Sequence, residues 1–183
     1  MVADLEKTIK ACKKGERRAQ EKFYRHFYGF AMSACMPYAN SHAEAEEIVH
    51  DGFIKVFTSF KKFRTGERIE PWLKRIIVNT AIDHYRSQQK HYNQIELNEA
   101  MNEQHVDLSA LQKMAEDDIM GLVQRLTPAY RMVFTLYTVE GYKHREIAAR
   151  LGISEATSKT NLMKAKEKLK HLIITYQVTG KHG

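Results

Sequence analysis

Apolar residues recur at three- and four-residue intervals along most of this chain, with charges between them, and that spacing marks amphipathic helices. Leu5, Ile9 and Cys12 form a first stripe, and Ala19, Phe23, Phe27 and Phe30 a second. Pro37 and the pair Asn40 and Ser41 interrupt it. The pattern resumes with Ala45, Ile48, Val49, Gly52, Phe53, Val56, Phe57 and Phe60. Ser41, with Glu44 three residues on, fits a capping box at the start of that helix. Residues 63–70 (FRTGERIE) read as a polar loop containing Gly66. Pro71 suits a first helical turn. Trp72, Leu73, Ile76, Ile77, Thr80, Ala81 and Tyr85 then give a third long helix its apolar face, with Trp72 expected in the core.

Residues 91–115 break the pattern, being rich in Asn, Gln and acid. Helical periodicity returns over 116–178. Ile119, Leu122, Val123 and Leu126 share a face, Thr127 and Pro128 supply a cap and a first-turn proline, and Gly141 ends the helix that holds Tyr130, Val133, Phe134, Leu136 and Tyr137. Charge follows the same division. Residues 1–90 hold 17 Lys and Arg against 11 Asp and Glu, residues 91–115 one against four, and residues 116–183 eleven against seven. The expectation is an all-α protein of two basic helical domains, 1–90 and 116–178, joined by a flexible acidic linker, 91–115, with a tail at 179–183.

The net charge of +7 favours a polyanionic partner such as nucleic acid. Three prolines and nine glycines in 183 residues are too few for the many turns of an all-β fold. The nine histidines and two cysteines show no metal-ligand spacing, so neither metal nor cofactor is expected. Cys12 and Cys35 read as small, largely buried residues in a reducing compartment. No apolar run reaches the roughly 18 residues that cross a bilayer, and residues 1–15 lack a signal-peptide block, so the expected location is cytoplasmic, without membrane insertion.

The most specific string is HREIAARLGISEATSKTNLMKAKEKLKHLI, residues 144–173. Ile147, Ala148 and Leu151 form the inward face of a short helix, Gly152 allows a left-handed turn, Ile153 plugs the space between two helices, and Ser154 caps the next. The second helix would turn Ser158, Leu162, Ala165 and Leu169 inward. This is a helix-turn-helix. Its outward residues, Lys159, Thr160, Asn161, Met163, Lys164 and Lys166, combine phosphate-binding charge with groups that meet base edges and thymine methyls. An ordinary helical hairpin with a solvated lysine face is the plainer alternative.

Two further strings stand upstream in fixed order: AEAEEIVHDGFIKVF at 43–57 and FRTGERIEPWLKRIIVNTAIDHYR at 63–86. With the helix-turn-helix, they make the chain resemble the sigma-70 family, specifically its small extracytoplasmic-function members built from regions two and four. Trp72, Leu73, Ile76, Asn79, Asp83 and Arg86 fall on the family's run in the second string. The resemblance implies a region-2 bundle and a region-4 helix-turn-helix in a non-catalytic factor that binds core RNA polymerase, recognises the −10 and −35 promoter elements and directs transcription initiation.

The same resemblance assigns residues. His50, Asp51, Phe53, Lys55 and Val56 would dock on the polymerase clamp helices, with region four at the flap. Phe63, Arg64, Asn79, Asp83, His84 and Arg86 would read the −10 element, the loop 63–70 capturing a flipped base. Lys159, Thr160, Asn161, Met163 and Lys164 would read the −35 element. Unstacking a base costs a few kcal/mol, which a pocket for the extruded base offsets only after melting, so capture couples recognition to opening. Phe53 and Phe57 are equally readable as core, and Asp83 as an ion-pair partner of Arg86. His50 replaces the family's usual glutamine, and Ser158 a usual valine, so the recognition helix is expected to seat differently. An anti-sigma partner is implied as well. Two other functions compete: a stand-alone transcriptional regulator with the same reading helix, and a nucleic-acid-modifying enzyme. The second finds no nucleophile with a placed base and no phosphate-binding glycine loop.

Overall fold

The computed structural model describes residues 2–64, 67–92 and 116–179. Among them are eight α-helices and no strand, in agreement with the all-α expectation: α1 (Val2–Lys13), α2 (Arg17–Cys35), α3 (His42–Ser59), a 3-10 turn (Phe60–Lys62), α4 (Ile69–Tyr92), α5 (Glu116–Gln124), α6 (Pro128–Thr138), α7 (His144–Leu151) and α8 (Glu155–Thr179). Thr65 and Gly66 of the loop 63–70, linker residues 93–115 and tail residues 180–183 lie outside the described residues. Residues 91 and 92 belong to α4. By backbone packing the chain divides into two compact units, residues 1–36 with 41–81, and residues 37–40 with 82–183.

In the first unit α2 packs on α1 and α3, and the 3-10 turn packs on α1 and α3. Phe23, Phe27, Ala31 and Cys35 are buried at four-residue steps. Each such step advances about 40° around a 3.6-residue helix, so the buried direction rotates along α2. Phe30, three residues after Phe27, falls behind that rotation and is 37% exposed, not in the core as its spacing suggested. Phe23 is the hub of an aromatic cluster, with ring centroids of Phe27, Phe60, Phe57 and Phe53 at 4.6, 5.0, 6.3 and 6.4 Å. Three of these contacts are edge-on, the arrangement ring quadrupoles favour. Ser41 caps α3, its Oγ accepting the Glu44 N–H at 3.2 Å. Gly52 lets α3 approach α4 closely: a Cβ there would stand 2.5 Å from Ile77 Cδ1.

In the second unit α8 is the long element against which α5, α6 and α7 pack. Thr127 caps α6 and Pro128 opens it, as expected. Gly141 and Gly152 both adopt positive φ, +74° and +70°. At Gly152 the left-handed residue ends α7, its N–H donating to the Ala148 carbonyl at 2.9 Å, and three residues later α8 begins. Ser154 caps α8 by accepting the Thr157 N–H at 2.9 Å. Ile147, Ala148 and Leu151 of α7 are buried, as are Ser158, Leu162, Ala165 and Leu169 of α8. Ile153 is only half-buried, not the core plug its position suggested.

Candidate nucleic-acid interface

The inward positions of α8 lie within about 60° of one another around the helix axis, at roughly 100° per residue. Thr160 stands opposite that stripe, flanked by Met163 and Lys164, with Lys159 and Asn161 at its borders. Lys159, Thr160 and Met163 are exposed, and Asn161 and Lys164 half-buried. Of the five residues expected to read base pairs, three are therefore on the exposed side of α8 and two are partly covered. Lys159 Nζ is 3.0 Å from Glu155 Oε1 one turn earlier, so its charge is already partly neutralised. The lysine in turn holds the Glu155 carboxyl below its usual range, through the hydrogen bond first and then its charge.

Asn79, Asp83 and Arg86 fall on one stripe of α4, since steps of four and three residues keep within about 60°. Asp83 and Arg86 are exposed and Asn79 half-buried. His84 lies off that stripe, with its Nε2 2.6 Å from Gln88 Nε2. Arg64 is exposed. Phe63 is not: it is buried, its ring centroid 5.0 Å from that of Trp72, so it supports the loop rather than offering a free face to a base. Trp72 is half-buried between Phe60 and Phe63. Lys13 was missed by sequence reasoning. Its ammonium donates to the Phe63 carbonyl at 2.8 Å and lies 5.7 Å from the Phe63 ring centroid, tying α1 to the loop stem across 50 residues. No local pattern announces so distant a contact.

On α3, His50, Asp51 and Lys55 are exposed on one side. Phe53 and Val56 are buried in the aromatic core, so their expected role as docking contacts is corrected: they hold the helix in place and present no surface. Ile54 is the residue overlooked. It is 53% exposed on the same side as His50, Asp51 and Lys55, an apolar residue off the core stripe and thus recognisable by its helical phase.

A third overlooked residue is His144, the first residue of α7. Its ring stacks on Tyr137 of α6 (centroids 4.8 Å apart, 24° between planes), and its Nδ1 is 2.9 Å from the Oγ of buried Ser158. Arg150 stacks on Tyr142 with its guanidinium carbon 4.4 Å from the ring centroid.

A helix-turn-helix that presents a cationic, uncovered second helix defines a DNA-reading protein. Comparison with known proteins makes the class specific. Residues 23–91 match the family model described as Sigma-70 region 2, and residues 116–169 the one described as Sigma-70, region 4. The RNA polymerase sigma factor CarQ of Myxococcus xanthus is 30% identical over 139 residues, 72% of this chain and 75% of that protein. The ECF RNA polymerase sigma factor SigW of Bacillus subtilis (strain 168) is 25% identical over 178 residues, 91% of this chain and 95% of that one. Among solved structures, the Bartonella quintana sigma factor RpoE in complex with the anti-sigma factor NepR aligns at 19% identity over 84% of this chain and 98% of that chain, with a TM-score of 0.48.

The chain belongs to the sigma-70 family of RNA polymerase sigma factors, in its extracytoplasmic-function branch. It binds core RNA polymerase, recognises −10 and −35 promoter elements and directs DNA-templated transcription initiation; sigma factors are non-catalytic initiation factors. Among the described residues no helix is long and apolar enough to cross a membrane.

Proposed function

We propose that the two ends of the chain divide promoter reading between them. Residues 1–90 act as the region-2 module. In it Arg64, Asn79, Asp83 and Arg86, with His84 beside them, read the −10 element, and the outward side of α3 (His50, Asp51, Ile54, Lys55) docks on the polymerase clamp helices. Phe63, Phe53 and Val56 are the scaffold beneath these surfaces. Residues 116–178 act as the region-4 module, engaging the flap and reading the −35 element through Lys159, Thr160, Asn161, Met163 and Lys164. Residues 91–115 connect the two. The protein works in the cytoplasm and catalyses nothing itself.

The observation that carries this reading is α8, whose buried stripe leaves Lys159, Thr160 and Met163 exposed. Lysine charge on such a face binds phosphates, and threonine and methionine meet base edges and thymine methyls. Footprinting separates a polymerase-dependent factor from a self-sufficient regulator. Protection of −10 and −35 sequences is expected only with core polymerase present; strong sequence-specific protection by the chain alone would favour the regulator. Two cation-bearing modules are also suited to capture by an anti-sigma protein, and we assign it such a partner. Purification from native cells that recovers polymerase and never a small inhibitor would count against that assignment.

A further inference from the structure

Three helices of the second unit meet at one polar point. The His144 ring, at the start of α7, stacks on Tyr137 near the end of α6 and reaches the Ser158 hydroxyl in the first turns of α8. Ser158 is fully buried and the His144 ring half-buried, so the bond lies at the edge of the core. Lys159 and Thr160 follow it directly. An apolar contact fixes distance and little else, whereas a hydrogen bond between an aromatic ring and a hydroxyl also fixes direction. A bond at Ser158 therefore sets how far α8 is rolled about its own axis, and that roll decides where Lys159 and Thr160 point.

We propose that His144 is a positioning residue for −35 recognition, acting through its bond to Ser158 and its stack on Tyr137 to set the roll of α8. The inference rests on the assignment of α8 as the −35 reader. The groups facing the ring are Tyr137 from α6 and Ser158, Glu155, Lys159 and Lys166 from α8. Burial first, and then the Lys159 charge, with Glu155 opposing and Lys166 adding, hold the ring below the ordinary histidine value. At neutral pH it is therefore uncharged, one nitrogen donating and the other accepting. The serine hydroxyl donates to a bare Nδ1 or accepts from a protonated one, so either tautomer keeps the link. His144 is not among the residues assigned to read base pairs, so on this proposal its removal acts by re-aiming those that are.

The test uses full-length protein reconstituted with core polymerase. It needs a promoter recovered by run-off transcription from a genomic pool, and derivatives with each −35 base pair replaced in turn. The readout is the ratio of run-off from the original to run-off from each derivative. His144→Phe keeps the stack and loses the hydrogen bond. It is expected to lower the ratio about five-fold, the effect of one net hydrogen bond, at the base pairs nearest Lys159 and Thr160. Discrimination at the −10 element should be unchanged. The double variant His144→Phe with Ser158→Ala replaces both polar partners by apolar ones, which is close to neutral for stability. It should recover the wild-type melting temperature and still discriminate poorly. His144→Asn, which keeps a side-chain hydrogen-bonding group at this position, should restore part of the ratio.

Wild-type discrimination in His144→Phe or in the double variant would overturn the inference and leave the −35 assignment standing. A wild-type holoenzyme that initiates yet ignores −35 substitutions would overturn both.

Discussion

Gly152 offers a clean test of how the helix-turn-helix is built, because its backbone and packing contributions separate. At φ +70° and ψ +32° it occupies the left-handed region, and a Cβ added there would meet nothing within 4 Å. Replacement by alanine therefore adds no steric conflict with neighbours, only the left-handed penalty of about 1–2 kcal/mol. Against this, alanine restricts the unfolded chain more than glycine and regains about 0.4–1 kcal/mol. The backbone penalty wins, by about 0.5–1 kcal/mol. For a unit of about 100 residues that lowers the melting temperature by roughly 3–6 °C. Asparagine tolerates the left-handed region, so Gly152→Asn should fall between glycine and alanine, and β-branched Gly152→Val should be worst. Thermal melts followed by far-ultraviolet circular dichroism supply the ranking. If alanine proved as stable as glycine, or more stable than asparagine, the turn would not depend on its left-handed residue.

Three further outcomes follow from particular contacts. Gly52→Ala drives a Cβ to 2.5 Å from Ile77 Cδ1 and should cost about 1–3 kcal/mol; adding Ile77→Val, which removes that methyl, should recover part of the loss in denaturant melts read by Trp72 fluorescence. The Cys12 thiol is pushed up to about 11 and the Cys35 thiol to about 12, burial being the larger cause for both and Glu16 or Glu44 the smaller. Alkylation at pH 8 should therefore be slow in the native protein and fast after unfolding, with rates read by mass spectrometry, and prompt native labelling of Cys35 would contradict its burial. His144 binds its proton less tightly folded than unfolded, so the unfolded chain takes up more protons as pH falls through the ordinary histidine range. That contribution to stability is intact above this range and is lost toward the lowered folded value. Melts between pH 7.5 and 5.5 should show a slope that His144→Phe reduces.

Helix starts and the turn were legible because they depend on single residues with local chemistry: Ser41 and Thr127 as caps, Pro128 in a first turn, Gly152 at positive φ. The inward face of α8 was legible for a related reason, since four residues within one helix settle it. What periodicity cannot give is which face a neighbour covers. Phe30 kept the right spacing and lost its partner as the stripe rotated, while Val56 and Phe63, expected at surfaces, and Phe53, equally readable as core or surface, are all buried. In each case a large apolar side chain was claimed both by the core and by an interface, and burial against other aromatics took it. Ser158 is buried against His144, which lies 14 positions upstream and carries no local signal.

The charge on α8 bears on how much of the attachment to DNA core polymerase supplies. Its outward side offers Lys159, Lys164 and Lys166, and Lys159 already pairs with Glu155 at 3.0 Å. Neutralising about three phosphates gives a salt slope near −2.7, and binding weakens about 40-fold between 50 and 200 mM salt. Proteins with six to ten phosphate contacts lose about 10³–10⁵ over that range, because much more of their affinity comes from released counterions. Through these three lysines alone, α8 is a weak electrostatic binder. Lysine, moreover, meets guanine as a point charge and not as the bidentate fork of arginine. A reader this weak discriminates usefully only if another contact holds it at the DNA, where its few kcal/mol of base preference decide between sites and need not supply the attachment. Core polymerase makes that attachment.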